Sequence, residues 1–208
     1  MARRPKPDEM LTTLRGSGQF SVAPKKAAHN CMGASKPTRK AMARLWGSAW
    51  LKGAMAGMTP ESLSALHRIF VKEHIEPILL DRAFDLIQEH RIKGDTIVII
   101  TATNTLVTRP IADRLGVEHL IGCEAEIENG YFTGKPSGIP SFAEGKVIRI
   151  KSWCEAQDQS MEGAVFYSDS HNDLPLLQAV DKPVAVDPDE RLKSEALRNG
   201  WDIISLRD

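Results

Sequence analysis

The stretch SDSHNDLPLL, residues 168 to 177, sets Asp169 and Asp173 four positions apart directly after the apolar run AVFY. Two hard carboxylates brought to one place suit Mg2+, which takes one or two carboxylates and completes its shell with water and phosphate oxygen. The same residues would also serve to begin a helix, with Ser170, Asn172 or Asp173 satisfying backbone donors. Thr101 closes a second apolar run, TIVII. There its hydroxyl, with the N–H groups of Ala102 and its neighbours at the start of a helix, would cradle a phosphate. As a lone threonine it would simply cap that helix. Lys146, in FAEGKVIRI, falls near the start of the helix that precedes the Asp169 strand. Its ammonium would neutralise phosphate charge, although a lone helical lysine ordinarily faces water. The order of the set carries the signal: a hydroxyl at one strand end, then a lysine, then an aspartate pair at another strand end.

These residues need a frame that brings them together. From Gly57 onward the chain is well punctuated. TPESLSALHRIFVKEHI offers Thr59 as an N-cap, Pro60 at the first helical position and apolar Leu63, Leu66, Ile69 and Phe70 at helical spacing. PILLDRAFDLIQEHRIKG reads as a second helix closed by Gly94. DTIVII is a β-branched run suited to a strand buried on both faces. A helix over about 105 to 115 stopped by Gly116, the strand HLIG and a hairpin EAEIENGYFTG turning on Asn129-Gly130 follow. The helix FAEGKVIRIKSWCEA, strand AVFYS, helix DLPLLQAV, strand PVAV, helix DERLKSEALRNG and strand DIISL complete the chain. Strands alternating with helices predict an α/β fold with a doubly wound parallel sheet, which binds ligands at the carboxyl ends of its strands.

Composition divides the chain. Of 208 residues, 42% are hydrophobic and 26% charged, with no apolar run long enough to span a bilayer, so a cytoplasmic protein without a membrane partner is expected. Cys31, Cys123 and Cys154 fit neither a disulfide framework nor a zinc site. The net charge of zero hides an asymmetry. Residues 1 to 56 hold eleven Lys and Arg against Asp8 and Glu9, leaving sixteen basic and twenty-five acidic residues for 57 to 208. The arm lacks the amphipathic helix of a transit peptide and the interleaved aromatics that stack on bases, so neither targeting nor a nucleic-acid partner is expected. Much of it reads as poorly ordered. Neither GxxxxGK[ST] nor GxSxG occurs, and His171, the one histidine inside a motif, reads as exposed.

The segments IITATNTLVTRPIA, GYFTGKPSGIPSFAEGKV and FYSDSHNDLPLL together resemble the haloacid dehalogenase superfamily, in its phosphoserine-phosphatase-like branch, subfamily IB. The likeness spans about residues 57 to 208. It implies a hydrolase of a small phosphorylated metabolite, of the phosphoserine or histidinol phosphate class, using Mg2+. It makes Thr101 the phosphoryl-binding hydroxyl, Lys146 the motif lysine and Asp169 the metal ligand. Asp173 would support the metal or its water, and Asn172 would touch substrate. It also divides the chain into a basic arm at 1–56, a helical cap portion at 57–93 and an α/β core at 94–208.

One family feature has no counterpart. The family's first strand ends in Asp-x-Asp, whose first carboxylate attacks phosphorus while the second works as general acid and base. Here the family's usual spacing falls on QFSVAPKK, and no acidic residue lies between Glu9 and Glu61. The central strand is therefore expected to be missing or replaced, leaving two apolar strands without a neighbour unless QFSVA or another segment fills the slot. A displaced reading frame upstream of residue 57 or an authentic arm on a pseudoenzyme would each account for this.

Overall fold

A computed structural model describes residues 20–22, 57–62 and 71–207 of the protein. Its strands are β1 (Phe20–Val22), β2 (Thr96–Asn104), β3 (His119–Glu128), β4 (Tyr131–Ser137), β5 (Val165–Ser168), β6 (Lys182–Val186) and β7 (Asp202–Ile204). Among the described residues they form one sheet in the order β4-β3-β2-β1-β5-β6-β7. Every neighbouring pair is parallel except β3 with β4. The helices are α1 (Asp81–Ile92), α2 (Thr105–Arg114), α3 (Glu144–Ala156), α4 (Leu174–Leu177) and α5 (Glu190–Asn199).

The alternation within the strands builds the layers. In β2, Val98 and Ile100 turn to one face and join Phe166, Ala185 and residues of α3, α4 and α5 in a core. Ile97 turns the other way and packs with Ile87 of α1 and Ile111 of α2. Val165, Tyr167, Val184 and Val186 continue that second face and cover Ala83 of α1. Because both faces are covered, β5 has no exposed residue at all.

The slot between β2 and β5, expected to be empty or filled by a substitute, is held by Phe20–Val22 from the fragment QFSVA. Phe20 pairs with Thr96, and Ser21 stands opposite both Ile97 and Val165. Three residues thus give the facing ends of β2 and β5 a common hydrogen-bonding neighbour. The other expectations for residues 1–19 and 23–56, and the apolar face at 63–70, lie outside the described residues.

Thr59 accepts from the Ser62 N–H at 3.3 Å, as its N-cap reading required. At the hairpin, Asn129 and Gly130 have φ of 53° and 84°, the left-handed pair that a two-residue turn between antiparallel strands needs. The strand read as HLIG continues to Glu128, because after Cys123 it leaves the parallel ladder and pairs with β4.

α1, assigned to the cap in the sequence reading, belongs to the layer that covers the sheet. Its buried residues Ala83, Ile87 and His90 lie on one helical face and pack on the strands, so the α/β core begins before residue 94. His90 fastens it further. Nδ1 lies 2.6 Å from Asp95 Oδ2, and Nε2 lies 2.7 Å from the Tyr167 hydroxyl of β5.

Burial, followed by the nearby charges of Glu89, Asp95 and Asp202, pushes the Tyr167 phenol from 10 up to about 12. The folded state therefore holds this proton more tightly than the unfolded chain. The stability it carries is intact below about pH 10 and is lost as the pH rises through about 12. Absorbance titration of Tyr131→Phe, which leaves Tyr167 as the only tyrosine, should show this high midpoint. Urea midpoints should fall over the same window, and midpoints flat across it would contradict the assignment.

Candidate functional site

The regular pairing of β2 with β3 stops at Ile100 and resumes only at Asn104 opposite Cys123. Thr101 and Ala102 lie in that break, at the carboxyl edge of the sheet. The Thr101 side chain is buried, and its Oγ1 accepts from the Thr103 N–H at 3.1 Å, which leaves the hydroxyl proton uncommitted by that bond. The helix expected over about 105 to 115 begins at Thr105, three residues beyond Ala102. Asn104 caps it, its Oδ1 accepting from the Leu106 N–H at 2.9 Å. Ala102 therefore lies within β2, in the stretch where its pairing with β3 lapses, and not in the first turn of the helix.

Lys146 is the third residue of α3 and has no exposure to water, so the reading of it as a surface lysine does not hold. The chain turns sharply to bring it inward. Ala143 adopts φ 47°, and any side chain at Gly145 would run into the Pro140 carbonyl oxygen. The Lys146 Nζ lies 2.8 Å from Asp173 Oδ1 and 3.4 Å from the carbonyl oxygen of Ile100, the residue before Thr101. It also stands 5.8 Å from the centre of the Phe166 ring.

Asp169 follows β5 directly and is buried, as is Asp173 in the turn His171–Asp173. Both Asp173 oxygens have partners: Oδ1 meets Lys146, and Oδ2 accepts from the Ser168 hydroxyl at 2.7 Å. Asp173, expected to support a cation or its water, is seen here as the counter-charge of the Lys146 ammonium. Asp173 stands at the N-cap position of α4, but its side chain makes no capping hydrogen bond there. Ser170 caps the turn, its Oγ accepting from the Asn172 N–H at 3.3 Å. Asn172, partly buried, donates through Nδ2 to the same oxygen at 3.2 Å. For a divalent cation the donor set offers the Asp169 carboxylate, which fits an ion content with one carboxylate plus water and phosphate oxygen. Among the described residues no three His, Cys, Asp or Glu side chains gather as a metal cluster.

Three of the sequence candidates are thus drawn to one place. The Ile100–Thr101 end of β2, Lys146 and Asp173 are joined through the ammonium, and Ser168 ties Asp173 to the base of the Asp169 loop. Ser168 and Asp189 were missed. Nothing marks a strand-ending serine in sequence, and Asp189 reads there only as a helix cap. Burial pushes the Asp189 carboxyl up, but hydrogen bonds from the Leu192 N–H, the His171 N–H and the His171 ring outweigh it and hold the group below the ordinary carboxylate range.

A parallel sheet covered by helices on both faces, with a buried lysine–aspartate pair at its carboxyl edge, defines a doubly wound α/β protein with an edge site. The chain belongs to the haloacid dehalogenase-like hydrolase family, whose model matches residues 13–178. That match begins well before residue 57 and takes in β1. The chain is 36% identical over 157 residues to the histidinol-phosphatase of Neisseria meningitidis serogroup C (strain 8013), covering 74% of this chain and 71% of that protein. It is 34% identical over 151 residues to a phosphoserine phosphatase of Mycobacterium tuberculosis, covering 73% of this chain but only 49% of that protein. Its fold matches a solved protein of unknown function from Bordetella pertussis Tohama I with a TM-score of 0.77 at 31% identity, over 92% of this chain and all of the other.

Replacing Asp173 with Ala strips the buried ammonium of its counter-charge, which costs about 3–5 kcal/mol in such pairs. The urea midpoint should drop accordingly, whereas the double change Lys146→Met with Asp173→Leu should recover most of it. Equal losses in the two proteins would show that the pair is not what the site depends on.

Proposed function

We propose that this chain carries the site of a Mg2+-dependent phosphomonoester hydrolase acting on a small phosphorylated metabolite, and that turnover is impaired because its nucleophile is absent. The observation that carries this reading is the buried Lys146 ammonium, held between the Ile100 carbonyl and Asp173 beside the two residues best suited to phosphate and cation. The Thr101 hydroxyl would donate to a phosphoryl oxygen, and the fixed charge of Lys146 would balance the charge that builds on the transferring group. Asn172, at the turn after Asp169, would contact the alcohol portion. Asp169 would hold Mg2+, which when bound supplies Lewis-acid stabilisation of phosphate oxygen.

The missing part is the attacking carboxylate. Val22, the last residue of β1, is followed by Ala23, Pro24, Lys25 and Lys26, and no acid occurs before Glu61. On this reading the positions after β1 supply neither the carboxylate that would form an aspartyl-phosphate nor the second one that would move the proton. The names of the relatives support phosphoserine or histidinol phosphate as the substrate class. A second reading is a non-catalytic phosphate-binding or interaction protein with a basic arm, favoured by the same absence of acidic residues between Glu9 and Glu61.

Phosphate release from p-nitrophenyl phosphate with Mg2+ separates the two. The unaltered chain should stay near the buffer rate, and an Asp-x-Asp written in place of Pro24 to Lys26 should raise turnover by at least on the order of a hundredfold. Asp169→Asn should then abolish the gain. A folded, restored protein that binds inorganic phosphate without turning over would favour the binder. Turnover in the unaltered chain that ignores both chelator and Asp169→Asn would overturn the proposed site.

A further inference from the structure

Asp189 lies at the turn between β6 and α5, outside the residues assigned above, yet most of its hydrogen bonds run to the loop that carries Asp169. Its own N–H donates to the Asp169 carbonyl oxygen at 2.9 Å. Its Oδ2 accepts from the His171 N–H at 2.9 Å and lies 3.0 Å from His171 Nδ1. Its Oδ1 accepts from the Leu192 N–H at 2.9 Å, which caps α5. One residue therefore grips residues 169 to 171 at three atoms while rooted in a helix.

The turn that carries it is anchored on its other side. Asp187, two residues earlier, donates its N–H to the Ile204 carbonyl at 2.9 Å and accepts the Ser205 hydroxyl at 2.9 Å, with φ at 42°. The β6–α5 turn is thereby tied to the chain after β7 as well as to the loop after β5. The Asp169 loop is then braced from two directions. Asp173 draws its far end inward to Lys146 and Ser168, and Asp189 holds its near end from the β6 side.

The same contacts choose one form of the His171 ring. A nitrogen 3.0 Å from a carboxylate must carry its proton, which makes Nδ1 the donor. Nε2 lies 3.3 Å from the Arg191 guanidinium, which can only donate, so Nε2 must accept. Both neighbours suit the Nδ1–H tautomer, and together they fix the orientation of the His171 ring.

We infer that Asp189 is a positioning residue for Asp169, holding the backbone of the cation-binding loop and, through the same carboxylate, the orientation of His171 at the β6 side of the site. This rests on the reading of Asp169 as the Mg2+ donor.

Asp189→Asn tests it, because Asn Oδ1 can still accept from Leu192 and keep the cap while the second acceptor facing His171 becomes a donor. Three quantities are read on the full chain: amide hydrogen exchange at His171 and Leu192, the imidazole tautomer from ring 15N shifts, and the affinity for Mn2+ as a paramagnetic stand-in for Mg2+. Exchange at His171 should accelerate while that at Leu192 stays unchanged. The ring should leave the single Nδ1–H form, and Mn2+ should bind about 10- to 100-fold more weakly, as when other outer supports of a metal ligand are removed. Unchanged His171 exchange and tautomer would overturn the grip. Changed exchange with unmoved Mn2+ affinity, while Asp169→Asn still abolishes Mn2+ binding, would overturn the positioning role and leave the proposed site standing. Mn2+ binding that is absent, or indifferent to Asp169→Asn, would remove the cation reading itself and the inference with it.

Discussion

An ammonium taken out of water loses several kcal/mol of hydration unless an opposite charge and further hydrogen bonds replace it, and Lys146 is wholly enclosed. Asp173 at 2.8 Å supplies the charge, the Ile100 carbonyl lies within reach of the ammonium, and Ser168 occupies the other oxygen of Asp173. Each partner comes from a different element: the end of β2, the first turn of α3, the end of β5 and the turn after it. The pair can form only if all four arrive together. Satisfying one buried cation therefore registers α3 against the sheet edge and sets the loop that bears Asp169. The tight approach of Gly145 to Pro140 is the local cost of bringing that lysine inside.

The pair is electrically neutral in itself, and this explains how the edge keeps its shape in a chain without the family's attacking carboxylates. Lys146 does not need them as counter-ions, since Asp173 already plays that part. What the sheet does need is a strand between β2 and β5, because two parallel strands buried on both faces cannot leave their inner backbone groups unpaired. Phe20–Val22 meets that need with three residues. Backbone pairing asks only for an extended segment, whereas chemistry asks for a particular side chain beyond its end. Structural demand and catalytic demand on the same strand are thus separable.

The loop after β5 shows how neighbouring acids hold a site in place. Asp173 works inward and Asp189 outward, and Asp187 secures the turn from which Asp189 reaches. Four aspartates of similar appearance in sequence are assigned different duties by what stands within about 3 Å of each, the reach of an ordinary hydrogen bond.

Much of this was legible in the residue order. Apolar β-branched runs separated by amphipathic helices require a parallel covered sheet, Asn129-Gly130 requires a tight hairpin, and Thr101, Lys146 and Asp169 stand where strand ends and a helix start would put them. Local pattern determined these because each depends on neighbours within a few residues. It could not tell that Lys146 is buried, that Asp173 pairs with that lysine, that α1 covers the sheet, or that Asp189 reaches across to Asp169. Those facts depend on hydrogen-bonding partners between 18 and 77 positions away along the chain, counted from His171 to Asp189 and from His90 to Tyr167. Only the folded sheet brings such groups into contact, and contact decides which charge is spent on which partner.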